Sequence, residues 1–144
     1  MTDDFIARYC EFFESLDADR LDEIDSLFHP QALFRDPFNQ VCGHAAIRRI
    51  FKHLLQEHPH TRFRVLESVP SVLSAYIRWT FKPDSERDLE IEGLSRVVFD
   101  ENGAVIEHRD YWDSASELFA RLPLTGLPTR WLLRRAQACH EDQI

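Results

Sequence analysis

An aspartate in the first third of the chain has the sequence context of a general base. Asp36 ends a short apolar segment, ALFRDPF at 32–38, and its neighbours Phe34 and Phe38 predict an apolar surrounding. Because burial disfavours a charged carboxylate, this surrounding is expected to raise the pKa of Asp36 towards the range in which a carboxyl group transfers protons. The alternative is a structural carboxylate that caps a turn, since Asp-Pro pairs are common in turns.

A histidine and a second aspartate are spaced so that they can act together. His108 and Asp110 are two residues apart in an alternating segment, so both lie on the same face of a predicted strand. The carboxylate can then influence the imidazole proton, and a second acid near Asp36 separates the pKa values of the two carboxyl groups, as an acid/base pair requires. The alternative places His108 at the surface and binds Asp110 to a backbone group or an arginine.

Two tryptophans offer flat apolar surfaces to a ring-shaped ligand. We expect Trp112, and with it Trp79, to line a pocket. The alternative is that these large rings simply fill the hydrophobic core.

The histidines and cysteines do not form the pattern of a metal site or a disulfide framework. His53, His58 and His60 are separated by five and two residues across Pro59, unlike the i, i+4 pairing of zinc enzymes. We interpret them as a solvated helix end. The three cysteines are Cys10, Cys42 and Cys139. They are odd in number, far apart and without a CxxC motif, so we expect no disulfide, metal or other cofactor.

The N-terminal half of the chain shows helical periodicity interrupted by one short strand. Apolar residues at three- and four-residue spacing mark the helices, and prolines mark their ends. The predicted elements are a helix at about 3–17, a helix capped by Asp19 and closed by His29-Pro30, the strand 32–38, and a helix between Gly43 and Pro59. Three helices therefore precede the rest of the sheet.

The remainder alternates with period two and predicts hairpin-joined antiparallel strands. They cover about 61–69, 72–82, 88–99 and 104–113. Asn102-Gly103 is a strong tight-turn signal. We expect the helices to pack on one face of this sheet. That face consists of Leu73, Ala75, Ile77, Trp79 and Phe81 from the segment 72–82, and of Leu89, Ile91, Gly93, Ser95, Val97 and Phe99 from the segment 88–99. In the last strand, one face carries Ile106, His108, Asp110 and Trp112, and the opposite face carries Glu107, Arg109, Tyr111 and Asp113. Neither face is purely apolar.

The opposite face of the sheet is expected to mix large apolar groups with charges. Its apolar set is Tyr76, Leu94, Val98, Val105 and Tyr111. A patch of this kind predicts a homodimer formed through the outer face of the sheet. In that dimer Arg78, Arg96 and Arg109 are expected to pair with Glu90, Glu92 or Glu107 across the two-fold axis.

Three segments match a known superfamily in content and spacing. They are DADRLDEIDSLFHPQALFRDPF at 17–38, GHAAIRRIF at 43–51 and VVFDENGAVIEHRDYWD at 97–113. They resemble the nuclear transport factor 2-like (SnoaL-like) superfamily, which includes ketosteroid isomerases, polyketide cyclases and limonene epoxide hydrolase. The resemblance implies one α+β domain over 1–144, with a cone-shaped, curved antiparallel sheet packed against about three helices of the N-terminal half. Its core is 3–113, and 114–144 is a helical extension.

The resemblance also implies roles for particular residues. Asp36 falls at the position of the isomerase general base. The tyrosine and protonated aspartate that stabilise the isomerase enolate align with Phe12 and Ser95. Phe12 cannot donate a hydrogen bond and Ser95 is a weaker donor, so that oxyanion hole is not reproduced, and Tyr9 is a partial substitute. The expected ligand-binding residues are Tyr9, Phe12, Phe34, Phe51, Trp79, Ser95 and Trp112, and the expected catalytic residues are Asp36, His108 and Asp110.

Two functions are compatible with these residues. The first is a cofactor-independent isomerase-, cyclase- or hydratase-like enzyme for a small hydrophobic carbonyl compound, with Asp36 as base and His108 or Asp110 assisting. The second is a non-catalytic ligand-binding or dimeric scaffold domain. Steroid isomerisation itself is not expected, because both aligned enolate-stabilising residues differ.

Composition and charge argue against other partners. The net charge is −8, with 25 acidic and 17 basic residues, which repels a phosphate backbone, so no nucleic acid is expected. No segment approaches the roughly 20 apolar residues of a membrane helix. The acidic start, MTDDFIARYC, differs from a secretory signal. We therefore expect a cytoplasmic protein that does not contact membranes.

Overall fold

The first helix buries one side of an amphipathic segment. In the computed structural model, which describes residues 1–83, 89–117 and 126–136, helix α1 extends over Thr2–Glu14. Its buried residues are Ile6, Tyr9, Phe12 and Phe13. Asp3 and Asp4 in its first turn complement the positive end of the helix dipole. The helix ends before the predicted residue 17.

The second helical segment starts earlier than predicted and is mostly a 3₁₀-helix. Asp17, not Asp19, is its cap, because the Asp17 side chain accepts a hydrogen bond from the Asp19 backbone N–H at 2.8 Å. The 3₁₀-helix (Ala18–Glu23) continues into a single turn of α-helix, α2 (Ile24–Leu27). The buried side chains of Leu21, Ile24 and Leu27 attach this segment to the core.

The next strand also starts earlier than predicted. Strand β1 (Phe28–Arg35) includes the His29-Pro30 pair, which we expected to close the second helix. Pro30 is tolerated because the pairing of β1 with its neighbour is irregular between Phe28 and Leu33. After a turn at residues 36–39 the chain forms β2 (Gln40–Cys42) and α3 (His44–Glu57).

In the described part of the chain, six strands form one curved, unclosed sheet in the order β2-β1-β6-β5-β4-β3. The remaining strands are β3 (Arg62–Pro70), β4 (Ser74–Lys82), β5 (Ile91–Phe99) and β6 (Val105–Trp112). These four pair antiparallel in the predicted meander. β1 instead pairs parallel with β6, so the sheet is not wholly antiparallel. Residue 88, the predicted start of β5, lies outside the described residues.

A β-bulge in β6 changes which residues face inward. Val98 pairs with Glu107, but Phe99 pairs with Val105, so Ile106 is the extra residue. Val105 is fully buried and Ile106 is 37% exposed. The prediction that Ile106 faces inward and Val105 outward is therefore wrong.

The helices cover the inner face of the sheet, as predicted for β4 and β5. The buried residues of these strands are Ala75, Ile77, Trp79, Ile91, Gly93, Ser95, Val97 and Phe99. Helix α3 contributes Ile47, Phe51 and Leu55 to the same core. The apolar faces predicted from periodicity thus meet in one cluster.

The outer face of the sheet carries ion pairs between neighbouring strands. They join Arg78 to Glu67 and Glu92, and Arg96 to Glu107. Arg109 lies over the Tyr111 ring, with 4.7 Å between the guanidinium carbon and the ring centroid. Arg78 and Arg96 are thus neutralised by glutamates of the same chain and do not need the expected partners across a dimer axis.

Residues 113–144 form a second compact unit, of which 113–117 and 126–136 are described. Both pieces are helical: α4 (Ser114–Glu117) and α5 (Gly126–Ala136). Hydrogen bonds from Ser116 lower the pKa of Asp113, which stabilises the carboxylate at the start of α4. None of the described helices is long and apolar enough to cross a membrane. Cys139 lies outside the described residues.

Candidate functional site

A cavity of about 640 Å³ opens between the inner face of the sheet, the turn at 36–39 and helix α3. Its wall is rich in aromatic side chains, namely Phe34, Phe38, Phe51, Phe63, Trp79, Phe81 and Trp112. Its polar side chains are Asp36, Asn39, Arg49, His53, Glu57, His58 and Asp110. An apolar cavity with a few polar groups is the usual form of a small-molecule site.

The predicted site residues divide into two groups. Those that line the cavity are Asp36, Asp110, Phe34, Phe51, Trp79 and Trp112. Tyr9, Phe12, Ser95 and His108 are instead buried behind its wall, at 4%, 2%, 1% and 3% exposure. These four residues do not line the cavity, and their contact with a ligand stays a prediction.

Asp36 lines the cavity and also caps the turn that follows it. Its Oδ1 accepts hydrogen bonds from the backbone N–H groups of Phe38 at 2.7 Å and Asn39 at 2.6 Å. The Asn39 side-chain amide lies 3.1 Å from Oδ1 and 3.0 Å from Oδ2. Both interpretations of Asp36, cavity lining and turn capping, therefore describe its geometry, and the turn occupies much of its acceptor capacity.

Asp110 has one oxygen anchored by the protein. Its Oδ1 accepts hydrogen bonds from the Ser95 hydroxyl and from His108 Nε2, the latter at 2.7 Å. Within residues 1–83, 89–117 and 126–136, no donor is hydrogen-bonded to Oδ2. The side chain is only 16% exposed, so the carboxylate is largely removed from bulk water. This arrangement fixes the carboxylate and leaves its second oxygen available to a molecule in the cavity.

His108 connects Asp110 to a buried tyrosine. The Tyr9 hydroxyl lies 2.6 Å from His108 Nδ1. A neutral imidazole protonated on Nε2 satisfies both contacts, because Nε2–H donates to Asp110 while Nδ1 accepts from Tyr9. Burial raises the pKa of the Tyr9 phenol well above its ordinary value of 10.0, and the charge of Asp110 raises it further. Tyr9 therefore keeps its proton at neutral pH and can donate to His108 Nδ1.

The other end of this network is a tryptophan of the cavity wall. Trp79 Nε1–H donates to Ser95 Oγ at 2.8 Å, and the Ser95 hydroxyl hydrogen is then directed to Asp110. Each polar group from Tyr9 to Trp79 has a partner, which is what a buried network requires. The phenyl ring of Phe34 stacks on the His108 imidazole at 4.5 Å and closes the network from one side.

The two carboxyl groups come from neighbouring parts of the sheet, because Asp36 directly follows β1 and Asp110 lies in β6. The parallel register pairs Phe34 with His108 and Arg35 with Arg109, the residues that come immediately before Asp36 and Asp110. Adjacent strands lie roughly 4.8 Å apart. The fold therefore brings two acids to one side of the cavity from positions 74 residues apart in sequence (110 − 36).

Comparison with known proteins assigns the fold to a family. A model of the SnoaL-like domain matches residues 9–108, which is more than half of the chain. The chain belongs to the SnoaL-like family. Asp110 and Trp112 lie just beyond the matched residues. A search of curated protein sequences gave no match.

Solved structures share the SnoaL-like fold at low sequence identity. A candidate isomerase of the SnoaL-like family from Agrobacterium tumefaciens is 16% identical, with a TM-score of 0.66, covering 76% of this chain and 94% of that one. A candidate ketosteroid isomerase from Kribbella flavida is 17% identical (TM-score 0.63; 78% and 77% covered). A candidate polyketide cyclase from Sinorhizobium meliloti is 18% identical (TM-score 0.62; 75% and 94% covered).

This SnoaL-like domain has a polar rim that the sequence reasoning missed. Arg49, His53 and Glu57 follow one another at four-residue spacing along α3, and all three line the cavity with exposed side chains. Their spacing was the available signal, since it places them on one side of the helix. His58, interpreted as part of a solvated helix end, is exposed and lies on the same rim.

Other reactive groups lie away from the cavity of the SnoaL-like domain. Within the described ranges no three histidine, cysteine or acidic residues are grouped so that they could hold a metal ion. Cys10 and Cys42 are free thiols that do not line the cavity. Burial, together with the charge of Glu14, raises the pKa of Cys10 to about 11, so this thiol is a weak nucleophile near neutral pH.

Proposed function

We propose that the domain binds a small, largely apolar carbonyl compound in the cavity and moves a proton on it, as an isomerase-, cyclase- or hydratase-like enzyme. The observation that carries the proposal is Asp110, whose Oδ1 is anchored by Ser95 and His108 while its Oδ2 is left to a ligand. The aromatic wall suits a flat ring. The candidate isomerases and cyclase of similar fold support this class of chemistry.

In the proposed step Asp110 Oδ2 removes a proton from a carbon next to the ligand's carbonyl group. The electron pair of the broken C–H bond forms a C–C double bond, and the carbonyl oxygen becomes an enolate. The protonated Asp110 then returns the proton to another position of the ligand, which regenerates the carboxylate and consumes no other reagent. His108 and Ser95 act as positioning residues, because they hold the carboxylate without touching the ligand.

Asp36 was predicted to be the base, and the geometry supports a different division of roles. Its oxygens already accept hydrogen bonds from Phe38 and Asn39, so proton transfer by Asp36 would compete with the turn. We therefore assign proton transfer to Asp110. Asp36 is proposed to hold the turn at 36–39, which borders the cavity, and so to position the ligand without transferring a proton.

Two matched variants test this division. Native mass spectrometry of the freshly purified protein identifies a retained ligand, and NMR follows deuterium exchange next to the carbonyl group in heavy water. Asp110→Asn should lower the exchange rate about 10²–10⁴-fold with little change in ligand affinity, and Asp36→Asn should lower it less. Both variants should keep the wild-type melting temperature or exceed it. Full activity of Asp110→Asn contradicts the assignment.

A non-catalytic ligand-binding domain is the second candidate, and the turn-capping role of Asp36 favours it. In that case Asp36 is retained for the turn at 36–39, and the cavity only stores or presents a ligand. The same exchange experiment separates the two functions. Tight ligand binding without any acceleration of exchange by the wild type supports the binding domain.

We also propose that two copies associate through the outer face of the sheet. Tyr76 and Tyr111 on this face are 43% and 44% exposed, while Arg78 and Arg96 are paired with glutamates of the same chain. Stable association would bury over about 1,200 Å² in total. Light scattering should give twice 17.0 kDa for the wild type and 17.0 kDa for Tyr111→Glu. A monomeric wild type contradicts the proposal.

A further inference from the structure

A glycine in the middle of β5 lies between two tryptophans. Gly93 pairs with Trp79 of β4 on one side and with Trp112 of β6 on the other. Glycine weakens a strand interior, so its presence there requires a reason. The reason is not the backbone, because the described glycines with positive φ are Gly43 and Gly103.

The reason is space for the Trp79 indole. A Cβ atom added to Gly93 would lie 2.3 Å from Trp79 Cη2 and 2.5 Å from Cζ2. Both distances are far below a carbon–carbon contact, which is about 3.5–4.0 Å. The six-membered ring of Trp79 therefore lies directly on the bare backbone of Gly93, and any side chain at residue 93 forces the ring away from β5.

The seated indole has two consequences for the cavity. Its ring is part of the cavity wall, and it packs edge-on against Phe63, with 6.0 Å between the ring centroids. Its Nε1–H donates to Ser95 Oγ at 2.8 Å. Because a serine hydroxyl has a single hydrogen, this contact on the oxygen leaves that hydrogen for Asp110 Oδ1. The position of Trp79 is thus coupled to the orientation of the Asp110 carboxylate.

We propose that Gly93 is a positioning residue that seats Trp79 against β5, and through Trp79 and Ser95 fixes both the cavity wall and Asp110. The part concerning Asp110 rests on the proposed function; the seating of Trp79 does not. A residue with a side chain at 93 shifts the indole into the cavity, which excludes flat ring-shaped ligands. Glycine at this position is therefore a determinant of ligand shape as well as of carboxylate geometry.

A double-mutant cycle tests the seating of Trp79 without any substrate. Gly93→Ala should lower the melting temperature by about 5 °C or more in the wild-type background. In the Trp79→Leu background the clashing ring atoms are absent, so the same change should be neutral or slightly stabilising. A Gly93→Ala protein that fails to fold, while the double variant folds, also supports the proposal. Equal effects in both backgrounds, or failure of both variants to fold, overturn it.

Spectroscopic and binding measurements test the consequences for the site. In ¹H–¹⁵N spectra Gly93→Ala should shift the Trp79 indole N–H resonance in the same direction as Ser95→Ala, the reference for the lost hydrogen bond. Its affinity for the neutral fluorescent probe phenylnaphthylamine should fall about tenfold or more. An unmoved indole resonance with unchanged probe affinity overturns the inference. If Asp110→Asn is fully active but the double-mutant cycle gives the expected result, the proposed function is rejected and the seating of Trp79 by Gly93 still stands.

Discussion

The hydrogen bond between Tyr9 and His108 gives a prediction whose size follows from the structure. Tyr9→Phe keeps the buried ring and removes only the hydroxyl, which lies 2.6 Å from His108 Nδ1. Both residues are almost fully buried, so no water replaces the lost donor. Leaving a buried acceptor unsatisfied costs about 1–3 kcal/mol. We expect the free energy of unfolding at pH 7.5 to fall by this amount.

The difference between wild type and Tyr9→Phe should also depend on pH. Burial, the charge of Asp110 and the Cys10 thiol raise the pKa of Tyr9 in the folded state above the ordinary 10.0. Above about pH 10 the unfolded phenol loses its proton while the folded one keeps it, so the unfolded state binds fewer protons. The stabilisation is therefore complete below pH 10 and decreases by up to about 1.4 kcal/mol per pH unit above it. Phenylalanine at position 9 contributes no such dependence.

Urea unfolding at a series of pH values measures both effects. Circular dichroism gives the free energy of unfolding of wild type, Tyr9→Phe and the control Tyr111→Phe at pH 7.5, 9, 10 and 11. The control removes the hydroxyl of a tyrosine that is 44% exposed and should change stability by less than about 0.5 kcal/mol. A zero difference at pH 7.5, or a constant difference up to pH 11, refutes the reasoning.

Three further predictions concern single positions in the fold. Iodoacetamide should modify Cys10 roughly 100-fold more slowly at pH 8 than a thiol with the ordinary pKa of 9.0, and peptide mass spectrometry should show the rate rising until about pH 11. Val105→Thr should lower the free energy of unfolding in urea by about 1–3 kcal/mol, whereas Ile106→Thr should lower it by less than about 0.5 kcal/mol. Equal losses for the two variants would contradict the bulge. Gly103→Ala should lower the free energy of unfolding by about 1–3 kcal/mol, because the φ of Gly103 is +84° and an added Cβ would lie 2.4 Å from the Phe5 ring. An unchanged melting temperature would contradict this contact.

Local pattern predicted the elements better than their arrangement. Period two identified β3 to β6 and the inner faces of β4 and β5, because each hairpin connects neighbouring segments. The parallel pairing of β1 with β6 joins segments about 75 residues apart, and no short turn marks such a connection. The bulge at Ile106 was also invisible, since one inserted residue reverses an alternation without changing composition.

For the candidate site, alternation indicated the face of each residue but not its depth. His108, Asp110 and Trp112 do share the inner face of β6 from residue 108 onwards, as predicted. Helix α1 covers the part of that face near His108, where Tyr9 contacts the imidazole, whereas Asp110 and Trp112 reach the cavity. Whether a position on a strand is covered by a helix depends on tertiary packing, which period two does not contain.

The location of the polar network supports the proposal that Asp110 acts on a ligand. A carboxylate at 16% exposure is costly unless it is hydrogen-bonded, and the chain supplies donors from three strands and a helix to anchor only one of its oxygens. A well-packed apolar residue would remove the need for the whole network and is often neutral or stabilising in such positions. The second oxygen of Asp110, beside an aromatic cavity, is therefore the feature on which the proposed proton transfer rests.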